Sequence, residues 1–181
     1  MLKLSLPAIV VSCVVALVLT ACSPKFDWRD YHSPDAPYTA LFPSKPATFS
    51  RDIDLDGVKV NMTMTASDID GITFAVASAL MANPAQAQAA LLAMKTALLR
   101  NINGVVKSDK AASAAISSGT GSSQNATIEI QASGTQNGKP ILLIGRFVAR
   151  DNRIYQIIIL GEEKHLSREN IDTFMDSIKL N

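Results

Sequence analysis

Cysteine is almost missing from this 181-residue chain: only Cys13 and Cys22 occur, both near the N-terminus. The rest of the sequence offers no disulfide framework, no thiolate metal site and no thiol nucleophile. Histidine is just as scarce, with His32 and His165 alone, and a zinc site needs four ligands at suitable spacing. Neither charge dominates, at 17 basic against 16 acidic residues, so no basic excess points to nucleic acid.

What is present begins with an export signal. Lys3 supplies a short positive region, and Leu4 to Leu19 is apolar apart from Ser5, Pro7 and Ser12. The run Leu19-Thr20-Ala21-Cys22 follows and reads as a bacterial lipobox. An uncleaved membrane helix would need about 20 apolar residues, and this stretch is shorter. Cleavage between Ala21 and Cys22 frees an amine, and the Cys22 thiol accepts a diacylglycerol. Each buried methylene contributes about 0.8 kcal/mol, so two or three acyl chains hold a protein firmly where one does not. Ser23 stands where bacterial sorting reads Asp as a retention signal. By resemblance to that system, the protein is expected at the periplasmic face of the outer membrane, in an organism that has one.

Processing would leave 160 residues (181 minus 21) and, with Lys3 gone, 16 charges of each sign. Residues 22–37 read as a lipidated N-terminus and tether, with Pro24, Pro34 and Pro37. Extended, that tether spans at most about 50 Å. Its Phe26, Trp28 and Tyr31 either dip into the membrane interface or pack onto the domain as its first element.

Residues 38–181 read as a single α+β domain. Strands are expected over Tyr38–Phe42, Thr48–Asp54, Val58–Ala66 and Ile72–Leu80, with tight turns at Asp56-Gly57 and Asp70-Gly71. In the third strand, Val58, Val60, Met62, Met64 and Ala66 share a dry face and Lys59, Asn61, Thr63 and Thr65 a wet one. Asn83-Pro84 opens a helix to about Asn101, with Leu91, Met94, Leu98 and Ile102 as its buried stripe. A weak strand from Val105 and a Ser/Gly/Thr loop over 117–123 precede three more strands, the first, Thr127–Thr135, ending at the hairpin signal Asn137-Gly138. Ile141–Ala149 and Ile154–Leu160 are apolar on both faces, which places them mid-sheet. Ser167 caps a last helix. The pattern predicts an antiparallel β-sheet flanked by helices, a three-layer α/β/α sandwich.

The opening Tyr38-Thr39-Ala40-Leu41-Phe42-Pro43-Ser44-Lys45-Pro46 and the closing Phe174-Met175-Asp176-Ser177-Ile178-Lys179-Leu180 resemble the corresponding ends of PsbP-like domains, found also in bacterial lipoproteins of the DcrB type. The resemblance covers roughly residues 36–181. It implies a scaffold for binding or assembly with no catalytic residues to carry over.

The chemical motifs are fragments. Asp52-x-Asp54-x-Asp56-Gly57 mimics a calcium loop, but its twelfth position is Thr63 where a bidentate Glu is needed. Gly119-Thr120-Gly121-Ser122-Ser123-Gln124 lacks the lysine of a phosphate loop. Glu162, Glu163 and His165 lie among Lys164 and Arg168 and read as a solvated cluster. Arg146 and Arg150 share a strand face and either line an anion-binding cleft or pair with carboxylates at the edge of the core. Met62 and Met64 either line an apolar pocket or pack in the core. No catalytic, metal or cofactor site is expected. The reading is a non-catalytic envelope lipoprotein with a protein partner; the alternative is a carrier or sensor of a small apolar ligand or lipid, and an enzyme ranks last.

Overall fold

The computed structural model describes residues 25–118 and 121–181, with side chains outside 113–124. The described residues form β1 (Arg29–His32), β2 (Tyr38–Phe42), β3 (Ala47–Leu55), β4 (Val58–Ile69), β5 (Ile72–Leu80), α1 (Pro84–Asn101), β6 (Val105–Ser118), β7 (Gly121–Gln136), β8 (Lys139–Arg150), β9 (Arg153–Gly161), α2 (Arg168–Ser177) and β10 (Lys179–Leu180). A 3-10 turn, Glu163–His165, precedes α2.

Seven strands make one antiparallel sheet in the order β3-β4-β5-β9-β8-β7-β6. It is two meanders joined at its middle, where β5 pairs with β9 from Ile72↔Gly161 to Leu80↔Arg153. The turns explain the register. Asp56-Gly57, Asp70-Gly71 and Asn137-Gly138 each hold both residues at positive φ. That is the two-residue turn whose twist matches a hairpin, and Asp, Asn and Gly tolerate it best.

Both faces of the sheet are dry at its centre. Alternation along β9 sends Ile154 and Ile158 to one core and Tyr155, Ile157 and Ile159 to the other. The first core lies under α1, whose Ala87, Ala90, Leu91 and Met94 are buried against Leu143, Phe147 and their neighbours. Asn83 starts that helix by accepting the Gln86 N–H at 2.9 Å. Asn103, at positive φ, ends it, with the Gly104 N–H returning to the Leu99 carbonyl at 2.8 Å.

The opposite face corrects the expected architecture. It is not the outer helical layer of an α/β/α sandwich. A second antiparallel sheet, β1-β2-β10, covers it together with α2. The chain is mostly β, with ten strands and two α-helices among the described residues. β1 and β10 are four and two residues long, too short to carry a period-two signal. Tyr38–Phe42 belongs to this small sheet and not to the main meander, being paired to Arg29–His32 and Lys179–Leu180.

Two further expectations change. The wet face of β4 is wet only in its first half. Beneath the small sheet, Thr65 and Ser67 are buried, and Thr65 shares hydroxyl contacts with Thr48 at 2.9 Å and Tyr31 at 3.2 Å. The loop expected over 117–123 is largely strand. Pairing of β6 with β7 runs out to Ser118↔Gly121, with a bulge between Val106 and Ser108. Small polar residues read as loop, yet a ladder accepts them wherever neither face must be buried.

The stretch 25–37 is packed from Phe26 onward. Phe26 stacks on Trp28 at 5.9 Å, and both rings meet Phe74 edge-on at 6.4 and 6.2 Å. Phe74 meets Phe174 at 5.3 Å, and Phe174 meets Phe42 at 5.6 Å.

Two predictions follow from this packing. A Cβ on Gly134 would run into the Ile102 carbonyl oxygen, which already accepts the Thr135 N–H at 2.7 Å. Gly134→Ala is expected to force α1 from β7 and to lower stability by about 1–3 kcal/mol, as overpacking does; urea unfolding measures it. Burial pushes the Tyr38 phenol from 10.0 up to about 12, against an opposing hydrogen bond to Thr65. The folded chain thus holds this proton more tightly than the unfolded one. The stabilisation is complete below pH 10 and lost as pH rises through about 12. Tyr38→Phe should make the alkaline fall in urea midpoint shallower, with buried Tyr155, also raised, keeping part of the slope.

Candidate functional site

The register of the outer strands builds one open groove. Counting back from the Asn137-Gly138 turn, Gln136 faces Lys139, and seven residues further along Arg146 faces Glu129. On the other side of Glu129 stands Lys110 of β6. A row Lys110–Glu129–Arg146 therefore crosses three strands on one face, a carboxylate between two cations. The next row toward the β7–β8 turn is Ser108–Gln131–Ile144. Opposite residues in such pairs sit about 5 Å apart at Cβ. Arg146 Nε donates to Glu129 Oε1 at 2.7 Å.

α2 forms the wall of the groove. Ser167 fixes its start by accepting the Asn170 N–H at 3.1 Å. Ile171 and Met175 turn toward the strands, while Arg168, Asp172 and Asp176 make the rim. Arg168 Nε donates to both Asp172 oxygens at 2.9 and 2.8 Å, and this bond holds the guanidinium above its ordinary value. The groove has a volume of about 550 Å³. Lys110, Arg146 and Arg168 oppose Glu129, Glu163, Asp172 and Asp176, three charges against four. A near-balanced lining does not select a single anion such as phosphate; it suits a chain segment carrying both signs and some apolar surface.

The two arginines singled out from sequence share a face but not a site. Arg146 lines the groove, and besides bonding Glu129 it donates from Nη1 to the Met175 carbonyl at 3.1 Å. Arg150 lies beyond the groove and donates to the Leu180 carbonyl. Both cations thus pin the C-terminal segment to β8. Glu129, Lys110 and the α2 rim were missed. The outward alternation of β7 and the turn at Asn137-Gly138 contain the pairing of Glu129 with Arg146; that α2 closes over it follows from the second sheet, which the sequence pattern hides.

The other candidates sit apart. Asp54 accepts the Gly57 N–H at 2.6 Å and Asp52 accepts the Asn61 amide at 2.7 Å, the bonds of a hairpin. His32 lies on β1 and His165 in the 3-10 turn. Glu162 accepts from Lys164 and Lys139, and the Lys164 bond leads in holding its carboxyl below the ordinary value. Among the described residues no group of three or more His, Cys, Asp or Glu is placed to hold a metal ion. Met62 and Met64 meet Met94 and Leu98 around a recess of about 220 Å³ beside α1. Ala21, Cys22 and Ser23 lie outside the described residues, as do Gly119 and Thr120 and the side chains of 121–124.

The chain matches no protein-family model and no curated protein. The likeness to PsbP-like domains rests on the two short segments quoted above.

Arg146→Ala removes the link from β8 to both Glu129 and α2. The expected outcome is a loss of about 1.5–3 kcal/mol, the range for a hydrogen bond made by a charged group, with faster amide exchange in the last turn of α2. Arg150→Ala should loosen β10 and leave that turn unchanged.

Proposed function

We propose that this protein is a non-catalytic envelope lipoprotein, anchored through Cys22, whose groove between α2 and β6–β8 docks an extended segment of another envelope protein. The observation that carries the reading is the groove itself: open, lined by charges of both signs over apolar side chains, and seated on hydrogen-bonded strands. Interfaces between proteins commonly join an apolar centre to a polar rim. The lipobox supports the location, and Ser23 supports the periplasmic face of an outer membrane. The carrier reading draws on the recess at Met62 and Met64. At about 220 Å³ that recess falls below the roughly 300–1,000 Å³ of ligand pockets; the groove, at about 550 Å³, is open and lined by seven charged residues, which favours a chain segment over a small apolar ligand.

Two measurements test this. Cys22→Ala should give unprocessed or soluble protein, whereas mature Cys22→Ala protein that still sediments with membranes would remove the anchor from the account. Ser23→Asp should move the protein to the inner membrane. A photo-crosslinking residue at Gln131, within the groove, should capture one discrete envelope protein, and the same residue at exposed Lys59 should not. Charge reversal by Lys110→Glu should weaken the Gln131 adduct. Identical adducts from Gln131 and Lys59 would rule the groove out.

A further inference from the structure

We propose that the end of the seven-stranded sheet carrying the β4–β5 and β7–β8 turns lies directly against the phospholipid headgroups. The proposal rests on Cys22 being the lipidated residue and adds an orientation to it.

The argument is the length of free chain. From Cys22 to Lys25 there are three residues, at most about 10 Å of extended backbone. Lys25 is ion-paired to Asp70, in the β4–β5 turn. Phe26 and Trp28 are packed on Phe74 one residue later and beyond. The roughly 50 Å of leash that residues 22–37 offer when extended is therefore taken up by the fold. Freeing it would expose Phe26, Trp28 and Phe74 together.

The neighbours of Asp70 define the facing surface. Ile72 pairs with Gly161, and Gly161 with Leu142, just inside the β7–β8 turn. Glu162 joins Lys139 and Lys164, and Glu163 joins Lys107. This rim holds four lysines, counting Lys25, against Asp68, Asp70, Glu162 and Glu163. The balanced charge does not orient the protein, so the short leash sets the geometry. Lysine stems can still reach phosphates from such a rim. Val105 and Val106, 69% and 40% exposed, start β6 beside it. The Asp56-Gly57 turn and the β6–β7 hairpin end lie at the opposite end of the strands.

The test uses the natural lipidated protein in vesicles of phosphatidylethanolamine and phosphatidylglycerol. Trp28 is the only tryptophan, and a spin label on the headgroups should quench it. Fluorophores on Lys139→Cys and Lys59→Cys report the near and far ends, and no other thiol remains after lipidation. The Lys139 label should be quenched several-fold more strongly than the Lys59 label. Inserting about 20 Gly/Ser residues after Pro24 adds a coil of roughly 25 Å and should erase the difference. Equal quenching of both labels, in protein that floats with the vesicles, overturns the orientation. Protein that does not float overturns the anchor reading instead.

Discussion

A string of ring contacts, Phe26–Trp28–Phe74–Phe174–Phe42, ties the N-terminal segment, the central strand β5, the C-terminal helix and the small sheet into one core. Edge-on pairs of this kind add about 0.5–1.5 kcal/mol each beyond the area they bury. Their importance here is positional. With no cysteine after position 22, nothing covalent joins the two ends of the chain. Phe74 and Phe174 do so by packing, and the arginines of β8 complete the attachment by holding the Met175 and Leu180 carbonyls. The groove exists because α2 is clamped there.

Sequence pattern reached far into the main sheet. The Asp-Gly and Asn-Gly turns, the Asn83-Pro84 start and the doubly apolar β8 and β9 all carry local chemistry strong enough to read. The second sheet was not legible. Arg29–His32 shows no alternation, and Lys179–Leu180 is too short for any. Those strands are defined by their partners, Phe42 to Thr39 and Tyr38, and by the rings beneath them. Missing that sheet turned a mostly β structure into an expected α/β/α sandwich. The buried Thr65 and Ser67 fall to the same cause, since only an overlying layer dries that half of β4. The site divides in the same way. Arg146 was visible and its pairing with Glu129 could be counted from the hairpin turn, but the wall of the groove depends on where α2 returns.

In the groove most ionic groups already have partners within the chain: Arg146 with Glu129, Arg168 with Asp172, Glu163 with Lys107. The Arg168–Asp172 and Glu163–Lys107 pairs are exposed and contribute little stability. A docking segment with both signs can replace some of them at small cost.

The bulge near Lys107 has a further bearing. Among the described residues, both outer strands of the seven-stranded sheet, β3 and β6, have one unpaired edge. Open edges invite like molecules to polymerise. On the anchored reading, neighbours diffuse in two dimensions and meet with their strands held in similar orientation, which favours such joining. Arg51, Asp52 and Asp54 put charge along β3, while Lys107, Asp109, Lys110 and the kink between Val106 and Ser108 interrupt β6. These features interrupt edge-to-edge joining, and they leave two uncharged stretches of border, Ala47 to Ser50 on β3 and Ala111 to Ser118 on β6, that charge does not guard.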